Sequence, residues 1–289
     1  MDLYTLSGIR EILARHGFKF SKSLGQNFLA DENICVKIAE SAALDKDFGV
    51  LEIGAGIGAL TYSLSRAAAR VCAVEIDRAL TPVLAETVGD MDNVKIVFAD
   101  ILKTDISALV ETEFSGLRRA VCANLPYYIT SPVLAKLIEC NKFEIITVML
   151  QKEVAERLCA LPGSPDYGAF SVFIQYYTNP EIQFTVPSSC FVPQPKVDSA
   201  VIRMTVRESP PVNVKSENLF FKVVRASFAQ RRKLLANGLY SAFNRDLDKK
   251  MISTLLENLG FPENVRGETL DLTGFSRIAN GIYDILQSK

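Results

Sequence analysis

Asn124-Leu125-Pro126-Tyr127-Tyr128 follows a short apolar run, Ala120-Val121-Cys122-Ala123, and places two hydrogen-bond acceptors beside flat rings. The side-chain oxygen of Asn124 and the backbone carbonyl of Leu125 can each hold one hydrogen of a primary amine. Pro126 fixes the turn that presents that carbonyl. Tyr127 offers a ring for stacking on a planar base, a contact worth roughly 1–3 kcal/mol. The exocyclic amine of adenine suits such a pair. Its lone pair is delocalised into the ring, so it is a poor nucleophile, and the neutral amine has no readily removed proton for a general base. Holding both hydrogens favours pyramidal nitrogen and aims the lone pair at an electrophile. For Pro-Tyr-Tyr by itself, a proline turn with aromatic core packing is the ordinary reading.

A second constellation precedes this loop. Glu52-Ile53-Gly54-Ala55-Gly56-Ile57-Gly58 follows an apolar run and opens a helical pattern. Glycines at such a turn let the backbone approach a ligand, and the helix N-terminus adds backbone donors. Gly54, Gly56 and Ala59 also fit the dinucleotide pattern GxGxxA, so the loop leaves NAD and S-adenosylmethionine both open. Glu75, which ends the next run, suits a ribose in either. Glu52 favours the second ligand, because an acid repels a pyrophosphate and can pair with a cationic or amine-bearing group. Asp100 ends the third run and can accept from an adenine amine; Asn124 ends the fourth. In-line displacement at an activated sulfonium needs no metal.

Strands must carry these residues. Val50–Ile53, Val71–Glu75, Val94–Ala99, Ala120–Ala123 and Ile145–Leu150 are near-continuously apolar, as strands covered on both faces are. Helical spacing separates them, at Leu60–Ala69 and Arg78–Val88. The alternation predicts a doubly wound, mostly parallel α/β sheet, with ligands beyond the carboxyl ends of its strands. Val172–Thr178 and Ala200–Val206 read as two later strands, antiparallel partners closing one edge. Ser209-Pro210-Pro211 and the polar residues to Asn218 read as a linker, and the chain beyond Leu219 is helical. The expected domains are 1–211 and 212–289.

Length and composition bound the rest. The chain has 289 residues, is 48% hydrophobic and carries a formal net charge of -1. It reads as a globular protein with a sizeable core. A near-neutral total requires any RNA-binding charge to be concentrated on one face. Neither a transmembrane stretch nor a signal peptide is visible. The six cysteines form no CxxC pair and read as reduced thiols of a cytoplasmic protein. His16 is the single histidine and reads as a surface residue, so a histidine base or histidine-rich metal site is disfavoured.

Taken together, the chain closely resembles the ribosomal RNA adenine dimethyltransferase family over nearly its whole length. The resemblance rests on Lys22-Ser23-Leu24-Gly25-Gln26-Asn27-Phe28-Leu29, Glu52–Gly58, Glu75, Asp100, Asn124–Tyr128, Phe191–Ser199 and Arg225–Lys233. It implies a Rossmann-like class I methyltransferase sheet, mostly parallel with an antiparallel edge, plus a small all-α C-terminal domain that binds RNA. S-adenosylmethionine is the implied methyl donor, with Asn27, Leu29, Gly54, Glu75, Asp100 and Asn124 as its contacts and no metal. Asn124, Leu125, Pro126 and Tyr127 are the implied catalytic loop, and Phe191 packs on the target adenine opposite Tyr127. From the residues alone, Asn27 reads as a helix cap and Phe191 as core. Leu125 resembles the small-subunit branch, which dimethylates two adjacent adenosines near the 3′ end of 16S rRNA; the large-subunit resistance methyltransferases are the alternative. Ala55 departs from the proline often found after the first glycine. The implied enzyme is a cytoplasmic monomer.

Lys222, Arg225, Arg231, Arg232 and Lys233 lie early in the helical segment, and Lys19 and Lys22 precede the first motif. As phosphate contacts they release counterions on binding. RNA affinity is therefore expected to fall steeply with added salt in a binding titration. A flat response would remove these residues from the RNA contact.

Overall fold

The apolar runs form the strands expected of them. The computed structural model describes residues 3–21, 24–230 and 233–288; Lys22, Ser23, Arg231 and Arg232 lie outside the described residues. In chain order, the elements begin α1 (Leu6–Arg15), β1 (Phe28–Leu29), α2 (Glu32–Ser41), β2 (Phe48–Ile53), α3 (Ala59–Ala67), β3 (Arg70–Glu75) and α4 (Thr81–Val88). Then follow β4 (Val94–Phe98), α5 (Ile106–Glu113), β5 (Arg118–Asn124), α6 (Thr130–Glu139), β6 (Ile145–Gln151), α7 (Lys152–Cys159) and α8 (Ala169–Tyr177). The last are β7 (Thr178–Val186), β8 (Phe191–Val192), β9 (Ser199–Val206), α9 (Glu217–Phe228), α10 (Leu235–Phe243), α11 (Lys249–Asn258) and α12 (Leu272–Gln287).

These elements divide into two units, Met1–Ala155 with Asn179–Val206, and Glu156–Thr178 with Arg207–Lys289. The first holds a seven-stranded sheet in the order β4-β3-β2-β5-β6-β9-β7. β2 to β6 run parallel, and β9 lies antiparallel to β6 with Gln151 opposite Ser199. The chain winds outward one way from β2 to β4, then returns to build β5 and β6 on the other side. The resulting crevice between β2 and β5 is where open sheets of this class bind ligands. Registers bring the strand ends level there: Ile53 pairs with Val74 on one side and Ala123 on the other. A separate two-stranded ladder, β1 with β8, pairs Leu29 with Phe191.

The second unit is helical, and its core is rich in aromatic residues. Tyr176 of α8 lies 4.9 Å from Phe220 of α9, and Phe173 lies 5.6 Å from Phe221. Aspartates cap its later helices: Asp248 accepts from Met251 N, and Asp271 from Gly274 N at 2.7 Å.

Three readings of the sequence are corrected. Val172–Tyr177 is helix, and the strand begins at Thr178. Its β-branched and aromatic residues suit a strand, but packing of its rings on α9 selects the helix. Those contacts bring residues 156–178 into the helical unit. The edge position of β7 tolerates Pro180, which has no N–H to donate. His16 is part-buried and has a structural partner: its Nε2 lies 2.5 Å from Glu86 Oε2, linking the end of α1 to α4.

Glu52 is the third departure. It is 0% exposed in the middle of the sheet and does not face a ligand crevice. The Thr61 hydroxyl is the polar group nearest its carboxyl, and neither side chain makes a hydrogen bond of good geometry. Burial pushes its pKa from 4.5 up to about 8. The unfolded carboxyl ionises near 4.5 while the folded one keeps its proton, so stability declines as pH rises from about 4.5 to about 8. Glu52→Gln is expected to lose less stability than the wild type between those pH values in denaturant midpoints. Parallel profiles would mean that Glu52 titrates as an ordinary carboxylate.

Candidate active site

At the carboxyl ends of β2, β3, β4 and β5 lies a cavity that gathers Gly54, Glu75, Asp100 and Asn124, with Asn27 above them. Its floor is the turn after β2. Gly54 has φ +81°, a left-handed conformation that side chains rarely adopt. A Cβ there would meet nothing nearer than Asn124 O at 3.8 Å, so this stretch of backbone is open to a ligand. Gly58, at φ +87°, serves packing instead: a Cβ would fall 2.8 Å from Thr87 Oγ1 and 2.9 Å from Val88 Cγ1. Close approach of α3 to α4 depends on its absence.

Glu75 joins the loops that follow β2 and β3. Its Oε2 accepts from Gly56 N at 2.9 Å and its Oε1 from Asp77 N at 2.8 Å. Burial raises its pKa above the usual carboxylate range, and these backbone donors work against that rise. Asp100 uses Oδ1 to accept from Leu102 N at 2.9 Å, which shapes the turn after β4. Lys136 of α6 donates to Leu102 O at 2.7 Å and braces the same turn.

The segment ahead of β1 forms the roof. Gln26 Nε2 donates to Asp77 Oδ2 at 2.7 Å, and Gln26 Oε1 accepts from Ser21 N at 2.8 Å. On the other side, Asn124 Nδ2 donates to Asn27 O at 3.0 Å. A carbonyl can only accept, so the amide of Asn124 must turn its NH₂ toward Asn27. Its oxygen is thereby left for another donor. Asn27 is no helix cap: its side chain donates to Gly25 O at 3.1 Å.

Beyond Asn124, Leu125 N donates to Met149 O at 3.0 Å, and Leu125 is 1% exposed. Pro126, at φ -58° and ψ 132°, leads into a short 3₁₀ turn, Tyr127–Ile129. The Tyr127 hydroxyl lies 3.1 Å from Ser199 Oγ at the start of β9. Ser199 is 1% exposed, so the Tyr127 ring is anchored at its far end to the sheet.

Of the residues singled out from the sequence, Asn27, Gly54, Glu75, Asp100, Asn124, Leu125, Pro126 and Tyr127 all border the cavity. Leu29 and Phe191 do not. They pair with each other across the β1–β8 ladder, both buried, and belong to the core. For Phe191 the reading from residues alone, core, matches its burial. Gln26, Asp77 and Ser199 had no role assigned from the sequence. They act through partners 51 and 72 positions away, a link that no local pattern reveals. Among the described residues, no cluster of three or more His, Cys, Asp or Glu is arranged to hold a metal ion.

The model of the family described as "Ribosomal RNA adenine dimethylase" matches residues 17–274. The ribosomal RNA small subunit methyltransferase A of Geobacillus thermodenitrificans is 49% identical over 289 residues, covering 99% of each chain. Its counterpart from Lachnoclostridium phytofermentans is 50% identical over 281 residues, covering 96% of each. Among solved structures, a dimethyladenosine transferase from Plasmodium falciparum superposes with a TM-score of 0.74 at 26% identity, covering 86% of this chain and 95% of that one. The 23S rRNA methyltransferase ErmE superposes with a TM-score of 0.68 at 26% identity, covering 88% of this chain and 99% of its own. This chain belongs to the ribosomal RNA adenine dimethylase family.

Proposed function

We propose that the enzyme transfers methyl groups from S-adenosylmethionine to the N6 amines of two adjacent adenosines near the 3′ end of 16S rRNA in the small ribosomal subunit. The observation that carries this reading is the orientation of the Asn124 amide. Its NH₂ is committed to Asn27 O, so its Oδ1 is the group available to an incoming amine. Leu125 O is the second acceptor of the pair. Together they hold both amine hydrogens and direct the nitrogen lone pair, with no histidine base required. Tyr127, anchored by Ser199, supplies the stacking face for the base. The target adenine must leave its own stack to reach this loop.

The donor set fits S-adenosylmethionine. Gly54 presents open backbone and Glu75, Asp100, Asn27 and Asn124 line the same cavity, which supports a reading in which Glu75 takes the ribose hydroxyls and Asp100 the adenine amine. When bound, this donor supplies an electrophilic methyl group on a sulfonium. Leu29 and Phe191 are buried partners in the β1–β8 ladder, which continues the roof segment into the core. Phe191 is 2% exposed, so it enters this reading as support for the roof and not as a second face on the base.

Small-subunit RNA is favoured over large-subunit RNA by the near half identity to the small subunit methyltransferases, against 26% to ErmE. Lys222, Arg225 and Lys233 are exposed on the helical unit, and Lys19 is exposed on the other, as phosphate contacts must be. The same reading takes the enzyme as a cytoplasmic monomer. Among the described residues, no helix is long and apolar enough to cross a membrane.

The deciding experiment mixes the protein with labelled S-adenosylmethionine and unmethylated small subunits, then maps the modified nucleotides. Label confined to large-subunit RNA would transfer the assignment to that branch. Asn124→Ala is expected to lower methyl transfer on the order of 100-fold while RNA affinity is largely kept. Unchanged turnover would remove Asn124 from the amine. Glu75→Ala is expected to weaken S-adenosylmethionine binding about tenfold or more in calorimetry, because a charged acceptor and two backbone anchors are lost together. Equal affinity would overturn the ribose assignment.

A further inference from the structure

The two tyrosines of the catalytic loop are placed differently, and only the first has a role in the reading above. Tyr127 is partly buried and tied by its hydroxyl to Ser199, 3.1 Å away. Tyr128 is 56% exposed, although it borders the same cavity. The pair opens a 3₁₀ turn, in which successive side chains diverge by about 120°. With Tyr127 held inward, Tyr128 must project from the rim. Its ring rests on the roof at Gly25, where a Cβ would lie 3.4 Å from Tyr128 Cδ1. Gly25 has φ +60°, so this supporting turn has its own backbone reason to be glycine.

Withdrawing an adenine from its stack leaves the neighbouring base with an uncovered face. An exposed ring at the mouth of the pocket, braced from below, can replace that lost partner. We propose that Tyr128 is a stacking platform for the nucleobase adjacent to the target adenine. This inference rests on the RNA reading above. The ligand is the flat face of a single-stranded RNA base, and the contact tolerates any of the four, because each has a π-face. Tyr127 and Tyr128 then hold successive nucleotides, one inside the pocket and one at its rim. The Ser199 anchor keeps the two rings from exchanging places.

The test uses small subunits reconstituted with 16S rRNA that carries either normal bases or an abasic nucleotide on the 5′ or 3′ side of the target. Wild type, Tyr128→Phe and Tyr128→Ala are compared by methyl transfer, and S-adenosylmethionine affinity is measured separately. On normal subunits Tyr128→Ala is expected to raise KM about tenfold or more, while Tyr128→Phe matches the wild type. On one of the two abasic substrates the difference between wild type and Tyr128→Ala should vanish. S-adenosylmethionine affinity should be the same in all three proteins. An equal loss on normal and both abasic substrates overturns the proposal, as does no loss at all. A loss of S-adenosylmethionine affinity would assign Tyr128 to the roof over the methyl donor instead. A wild type that methylates none of these subunits overturns the functional reading itself, and the inference with it.

Discussion

The hydrogen bond from Asn124 Nδ2 to Asn27 O connects residues 97 positions apart, and the working geometry of the site depends on it. One such bond contributes only about 1 kcal/mol to stability. Its consequence is directional. It turns the amide so that the donor is spent inside the protein and the acceptor points away from Asn27. The arrangement requires β5 to end at the crevice beside β2, which the reversal of strand order provides. It also requires a roof segment with a carbonyl at the right height. Gln26, bonded to Asp77, and the β1–β8 ladder secure that segment at its two ends.

Much of the polar chemistry in the cavity is already engaged before any ligand enters. Both Glu75 oxygens hold backbone donors, one from the loop after β2 and one from the loop after β3. Asp77 takes Ala79 N on one oxygen and Gln26 on the other. Such prior engagement fixes where the remaining lone pairs point, which is the condition for preorganised electrostatics. Glu52 is the contrasting case. It stands two residues from Gly54 in sequence but is wholly buried beside the Thr61 hydroxyl, and it keeps its proton to about pH 8. Its cost to folding is set apart from ligand binding.

The outcome for each residue follows from how local its determinants are. Near-continuous apolar runs, each ending in a polar residue, specified the parallel strands and their carboxyl ends. The glycine turn and the Asn124 loop were legible for the same reason: residue type and adjacency carry their chemistry. Family resemblance, not periodicity, supplied Asn27 as a cavity residue and RNA as the carrier of the base. Tertiary packing decided the remainder. Residues 172–177 have the β-branched and aromatic composition of a strand, yet rings of α9 packed against them make a helix. Glu52 follows the pleat into the core, and Phe191 follows the β1–β8 ladder there. The links from Gln26 to Asp77 and from Tyr127 to Ser199 span 51 and 72 positions, so they exist only once the sheet has formed. By itself the sequence determined which groups could hold an amine and a nucleoside, because that depends on residue type at a strand end. The tertiary structure decided which way those groups point, because orientation is imposed by partners distant in the chain.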